Sequence, residues 1–330
     1  MMPSRFVTAG VLRAAVGGLT ALTALGLATS EAAAQMKFTR TIEMISHAAP
    51  GGGTDITARL VMLEARKANL INQDFVVVYK RAGSGAEAHG YLKAQPADGH
   101  TLLAVTQTHL YTIAQGQSPL KIDDLVGVAR AMDDPTYMVV ANNSPYKSIE
   151  ELISASKGKP INFAVAQVGG TEHIGVAQFA KVTGLQYKIT PFGSGGQMVN
   201  AMLSGATDAS PLNASEALGQ IQEGKFRPLL VTYRKRLSDT PDVPTSFEKG
   251  WPISVTTTRG YAVIKGTPPE IVQSWSDIMT KAMQGAEFTK YLKSAGLDPA
   301  DNIADAATWD KALKEEYTAS AATLNELGIK

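Results

Sequence analysis

The chain has 330 residues, 44 % of them hydrophobic and 18 % charged, with a formal net charge of +1. That composition belongs to a folded globular protein rather than a disordered or fibrous one, and a near-neutral balance gives no basic surface for nucleic acid or an acidic membrane. There is no cysteine, which removes disulfides, thiolate zinc sites, cysteine nucleophiles and a lipid-modified cysteine.

Residues 1–34 read as a secretory signal peptide. Arg5 and Arg13 form the basic region, Ala14 to Ala28 is a 15-residue apolar run, and Ala32 to Ala34 precede the expected cleavage before Gln35. The run falls short of the roughly 20 residues needed to span a bilayer. The expectation is an exported, soluble, periplasmic protein without a lipid anchor, whose mature part carries 29 basic and 29 acidic residues.

Phe38 to Ala49 reads as a strand. After Gly51, Gly52 and Gly53 comes a helix with Ile56, Leu60 and Leu63 opposite Arg59 and Arg66, and with Thr54 or Asp55 as N-cap. "DFVVVYKRAG" reads as a continuous apolar strand covered on both faces, "GAEAHGYLKAQ" as a helix, "HTLLAVTQ" as a strand. "TYMVVANNS" is a further strand, and "SIEELISASKG" a helix capped by Ser148 and stopped at Gly158.

The alternation then restarts. "INFAVAQ", "QYKITPF", "ATDASPLN" and "RPLLVTY" read as strands, each but the last followed by a helix. In the helix after "GSGG", Met198, Val199, Met202 and Leu203 are expected inward. "TRGYAVIKG" is a strand, "PPEIVQSWSDIMTKAMQ" opens a helix with proline in its first turn, and a last helix runs from about Thr308 to Leu327. Strands alternating with helices imply a mostly parallel α/β sheet. The restart predicts two lobes, 35–142 with 258–330 and 143–257, joined by crossings near Val140–Pro145 and Ser254–Tyr261, with the C-terminal helix packing across onto the second lobe.

Three strand–glycine–helix junctions stand out: "PGGGTD" (50–55), "VGGTEH" (168–173) and "FGSGGQ" (192–197). Glycines let backbone N–H groups approach a ligand, and a helix N-terminus attracts an anion. Each junction alone fits equally well as an ordinary turn. A phosphate loop is excluded, because no lysine follows the glycines, and "GSGAEA" (83–88) is an isolated match to a dinucleotide fingerprint without its acidic partner. Metal-ligand spacing is absent among His47, His89, His100, His109 and His173, and no cofactor motif is present. Ser194 lacks the nucleophile-elbow context, since Phe192 stands where glycine is required. Asp55 is first a helix cap. His173, in the first turn of its helix, is either a surface residue or a donor to a carboxylate. Arg259, at the second crossing, is either a hinge salt bridge or a fork for a carboxylate. His109, Tyr111 and Tyr261 fit core packing better than an aromatic ligand cage.

Taken in order, "APGGGTDITAR", "RAGSGAEA", "ADGHTLL", "VGGTEHIG", "FGSGGQMVNAMLSGATDA", "TPDVPTSFEKG" and "GTPPEIV" resemble the solute-binding receptors of tripartite tricarboxylate transporters, the Bug family. The resemblance spans Lys37 to the C-terminus. It implies a two-lobed, type II Venus-flytrap α/β receptor, not an enzyme, without metal or cofactor. It also implies a monomer that captures a small carboxylate and delivers it to membrane permease subunits. In the family, the loop matching Ala49, Pro50, Gly51, Gly52, Gly53, Thr54 and Asp55 and that matching Gly169, Gly170, Thr171 and His173 grip one ligand carboxylate. The loop of Phe192, Gly193 and Ser194 contributes. Thr106, Thr108, His109, Asn213 and Arg259 complete the expected site. "YKRAG" (79–83), "TQTHLYT" (106–112) and "TTTRG" (256–260) depart from the family pattern, and the last two are expected to set which carboxylate is read. Two other functions fit the same sequence: a periplasmic sensor with a signalling partner, and an exported hydrolase using Ser194 or Ser84.

Overall fold

The computed structural model describes residues 38–329; the segment read as a signal peptide lies outside them. The elements are β1 (Ile42–Ser46), α1 (Gly53–Lys67), β2 (Phe75–Tyr79), α2 (Ala86–Lys93), β3 (Thr101–Val105), α3 (Gln107–Ala114), β4 (Leu125–Ala141), α4 (Ile149–Ser156), β5 (Ile161–Val165) and α5 (Thr171–Thr183). They continue with β6 (Tyr187–Pro191), α6 (Gly195–Leu203), β7 (Ser210–Asn213), α7 (Ala214–Gln222), β8 (Phe226–Val231), β9 (Thr256–Ile264), α8 (Pro269–Met283), α9 (Ala286–Ser294), α10 (Pro299–Asn302) and α11 (Ala306–Leu327). None of these helices is long and apolar enough to cross a membrane.

The strands form an α/β architecture of two lobes that share one strand. In the first, the order is β2-β1-β3-β9-β4, with β1 parallel to β2 and β3. The crossing strand β9 is antiparallel to both its neighbours. Strand β4 changes partners along its length: Leu125 to Pro135 pair with β9, while Thr136 to Ala141 pair with β7 and β8. In the second lobe β5 and β6 are parallel, and a bridge from Phe163 to Ala209 ties them towards β7. Parallel pairing is thus confined to strands joined through a helix, as chain geometry requires; β9 runs against β3 and β4, and β4 runs against β7 and β8.

Periodicity explains the packing. On α1, Ala58, Val61, Met62 and Ala65 recur at helical spacing and are fully buried. They join a core with Trp275, Met279 and Met283 of α8. Trp275 donates its indole N–H to the Gly99 carbonyl at 2.7 Å, and Trp309 donates to the Tyr261 carbonyl at 3.1 Å. A Cβ on Gly260 would lie 2.4 Å from the Trp309 ring, so glycine there lets α11 seat on the sheet. Truncating either tryptophan to alanine costs about 3–5 kcal/mol.

Several local expectations are corrected. Strand β2 is the edge of its sheet and only half-buried, with Val76 45 % exposed, so an apolar run did not mean cover on both faces. Strand β4 begins at Leu125, not at Thr136. "QTHLYTIA" is a helix. On α6, Met198 and Met202 are buried, but Leu203 is exposed at the last turn. Helix α11 ends against α5: Tyr111, Ile174 and Leu324 form a small cluster, and Lys181 Nζ donates to the Glu326 carbonyl.

Candidate functional site

The triple glycine is a turn, a cap and a close approach in succession. Gly51 has φ +81°, the left-handed region that glycine enters at no steric cost. Gly52 is the extended N-cap of α1 and offers no side chain to the first-turn amides. A Cβ on Gly52 would lie 2.9 Å from Ser194 Cβ, and one on Gly53 would lie 2.2 Å from the Arg259 guanidinium. Expected caps Thr54 and Asp55 lie inside the helix instead. The Asp55 carboxylate reaches back to Gly51 N–H at 2.9 Å and also accepts from Arg59 and Tyr79.

The lobes are closed on each other. Ala49 N–H donates to the Gly193 carbonyl at 2.9 Å, and Gln167 donates to the His47 carbonyl at 3.0 Å. Ser84 donates to the Val168 carbonyl at 2.7 Å, and the Thr108 and Thr171 hydroxyls lie 3.1 Å apart. Between the lobes is an inner cavity of about 30 Å³, the space of roughly one water molecule. Five helices begin at its wall: α1 at Gly52 and Gly53, α3 at Thr106, α5 at Thr171, α6 at Ser194 and Gly195, and α7 at Asn213. Each helix start carries about half a positive charge. A separate outer cleft of about 720 Å³, lined by Arg81, Ser84, Val168, Phe192 and Gly193, shares Ala166 and Gln167 with the cavity wall.

Side-chain charge in the wall has the opposite sign. Glu216 lies in the first turn of α7 and accepts the Gly53 N–H at 2.7 Å. Burial pushes its carboxyl up, and the Arg259 charge only partly offsets this. Glu172, in the first turn of α5, is pushed up to about 7, chiefly by burial. Its own backbone amide, the Arg259 charge and the Ala166 amide hold the carboxylate against that rise, and Glu216 adds repulsion. Arg259 stays protonated: burial opposes its charge, but Asp134, Tyr291 and Glu216 outweigh it. Its NH1 meets Asp134 at 2.5 Å and its NH2 meets Asn213 Oδ1 at 3.1 Å, while Nε has no partner. His47 is held neutral, its pKa pushed down to about 3 by burial, with His89 and Arg259 adding to the effect.

Of the residues expected from sequence, Gly52, Gly53, Thr54, Thr106, Thr108, Thr171, Ser194, Asn213 and Arg259 stand in the wall of the inner cavity. Phe192 and Gly193 line the outer cleft instead. The others do not reach the inner wall. Ala49, Pro50 and Gly51 shape the turn behind it, and Asp55 is held by Arg59 and Tyr79. His109 is fully buried between His47 and His89 and accepts the Thr106 N–H on Nδ1. Gly169 and Gly170 form the turn before α5, and His173 Nδ1 accepts from Gly169 N–H at 2.9 Å. His47, Ala48, Ala166, Gln167, Glu172, Gly195, Glu216 and Thr257 also line the cavity. Glu172 was in plain sight within "VGGTEH". Glu216 follows Asn213 at the spacing of a capping box, which pointed to a helix start but not to a cavity. Ser194 accepts from Gln197 N–H and Ser84 donates to a carbonyl, so neither is hydrogen-bonded to a histidine. No group of three or more His, Asp or Glu able to hold a metal is present among the described residues.

The model of the tripartite tricarboxylate transporter family receptor, TctC, matches residues 57–329. The chain belongs to this family. Protein BugT of Bordetella pertussis is 31 % identical over 79 % of this chain and 81 % of its own length. Among solved structures, MatC of Rhodopseudomonas palustris with bound malate is 23 % identical, covering 87 % of this chain and 99 % of its own, with a TM-score of 0.79. An R. palustris protein with adipate is 24 % identical over 88 % of this chain and 98 % of its own, with a TM-score of 0.78. The TctC receptors are periplasmic solute-binding proteins, and the two-lobed fold described above is theirs.

Proposed function

We propose that this TctC receptor is exported to the periplasm, captures a small organic carboxylate between its lobes and hands it to membrane permease subunits. The observation that carries the reading is the convergence of five helix N-termini on one enclosed interlobe cavity. Their dipoles favour an anion from both sides. The malate and adipate held by two proteins of the same fold agree with an acid ligand. Lobes bounded at 142/143 and 257/258 would close over the acid, and the ligand would shift the population towards the closed form. A thermal-shift screen of dicarboxylic, tricarboxylic and aromatic acids tests it. A saturable rise in melting temperature with at least one acid is expected; no shift with any of them would overturn the carboxylate reading.

A further inference from the structure

We propose that Glu316, in its protonated form, braces the wall of the interlobe cavity from behind, and that losing this proton loosens the wall. The brace is independent of which ligand the cavity takes. Along β9 successive side chains face opposite ways. Thr257 and Arg259 stand in the wall of the inner cavity, while Thr256 and Thr258 line a second pocket, of about 310 Å³, on the other face of the strand. Gln107 of α3, Asp133 of β4 and Glu316 of α11 line that pocket too.

A chain of hydrogen bonds joins these residues. Glu316 Oε2 accepts from Gln107 Nε2 at 3.0 Å, and Gln107 Oε1 accepts the Thr258 N–H at 2.7 Å. Gln107 therefore ties the start of α3 to β9. Its chain neighbours Thr106 and Thr108, and those of Thr258, all stand in the cavity wall. The Thr258 hydroxyl lies 3.1 Å from Asp133 Oδ1 and 3.2 Å from Glu316 Oε1. A hydroxyl has one proton to donate. It cannot serve two carboxylates at once, so one acid brings its own proton and donates to the hydroxyl oxygen.

Glu316 is that acid. Burial, with the Asp133 charge adding, pushes its carboxyl up from 4.5 to about 7, and the Thr258 and Gln107 hydrogen bonds and the Arg130 charge only partly offset this. Asp133 and Arg130 on β4 and Tyr111 on α3 are the titratable groups that act on it or face it, and the Arg130 guanidinium is held by the Asn302 and Asp301 carbonyls. From α5 and β9 the pocket receives Gln178, Thr256 and Thr258, none of them charged. As pH rises past about 7 the proton leaves Glu316. Two carboxylates then compete for one hydroxyl proton and repel each other across Thr258. The pocket gives the Glu316 side chain room to withdraw, and Gln107 loses the acceptor that fixes its amide. The stretches of α3 and β9 in the cavity wall are then no longer held from behind.

Two measurements on the purified, unliganded receptor decide it, each on the wild type and on Glu316→Gln. Glutamine stands in for the neutral acid: its amide donates to Thr258 and its oxygen accepts from Gln107. The Glu316 proton is released near 4.5 in the unfolded chain and near 7 in the folded one, so it makes stability fall as pH rises between those values. In urea denaturation, the unfolding constant of the wild type relative to the variant should rise roughly tenfold per pH unit from pH 5 to pH 7 and level off above. Hydrogen exchange by mass spectrometry, corrected for the intrinsic rate, should show residues 256–260 losing protection at least tenfold between pH 6 and pH 8 in the wild type but not in the variant. Asp133→Asn, which keeps the acceptor and removes the charge, should move both transitions to lower pH. A flat ratio of unfolding constants, or exchange at 256–260 that rises equally in both proteins, overturns the proposal. Should Glu316→Gln fail to fold, transitions left in place by Asp133→Asn overturn it equally.

Discussion

The Glu216 carboxylate accepts the Gly53 N–H at 2.7 Å across 163 residues of sequence, joining the start of α7 in one lobe to the start of α1 in the other. A carboxylate supplied by the protein thus sits on the amide that the family resemblance assigns to the ligand. Glu216→Gln should retain the contact through a neutral oxygen while removing the competing charge. Affinity for a plain dicarboxylate is expected to rise five- to tenfold by calorimetry. The unliganded protein should lose no stability, because burial holds the Glu216 carboxyl above its ordinary range and so disfavours its charge in the fold.

The Arg259–Asp134 pair is a buried ion pair at the point where β4 changes partners. Arg259→Ala strands Asp134, which also accepts from the Ser215 hydroxyl and amide. Removing one member of such a pair costs about 3–5 kcal/mol. Urea denaturation should show that loss, and the double change Arg259→Met with Asp134→Leu should recover a good part of it.

Gly196 tests closure separately from stability. It belongs to α6, and a Cβ there would stand 2.8 Å from the Gly51 carbonyl oxygen of the opposite lobe. That oxygen is backbone and cannot swing away. Gly196→Ala should hold the lobes apart, lowering affinity at least tenfold and enlarging the radius of gyration of the liganded protein in X-ray scattering. Because alanine is the better helix former by up to about 1 kcal/mol, the melting temperature should stay level or rise.

The buried histidines make the fold sensitive to acid. Burial pushes His89 down to about 4, and burial with neighbouring positive charge pushes His47 down to about 3, from an ordinary value of 6.5. Both are neutral in the folded protein and protonated when unfolded below pH 6.5. Their contribution is therefore complete above pH 6.5 and is lost as pH falls towards the folded values. His89→Gln should make the fall in melting temperature between pH 6.5 and pH 4 visibly shallower, by roughly one proton's worth of slope. An unchanged slope would show that His89 is not held neutral.

What was legible in the sequence was mostly local. Capping placed α4 closely, because the Ser148 cap acts within one turn. Glycine junctions located three of the five helix starts around the cavity. The other two, Thr106 and Asn213, were flagged as residues without their helices being seen to converge. What escaped depends on tertiary pairing. Nothing local distinguishes Glu216 on a solvated helix from Glu216 on the Gly53 amide, or shows that Asp134 lies against Arg259 across a sheet. The edge position of β2 was hidden for the same reason: an apolar run records composition, and neighbours decide cover.

The placement of β9 has a consequence for how the chain reaches its structure. It fills the gap between β3 and β4, yet it arrives only at residues 256–264. A polypeptide emerging N-terminus first carries two strands whose facing edges have no partner until the last quarter of the sequence has appeared. Pairing across such a span is slow, because loop closure precedes any gain, and open edges invite the wrong neighbour. The first lobe therefore cannot complete its sheet ahead of the second. Assembly of the cleft, whose wall includes Thr257 and Arg259 of the returning strand, is a late event.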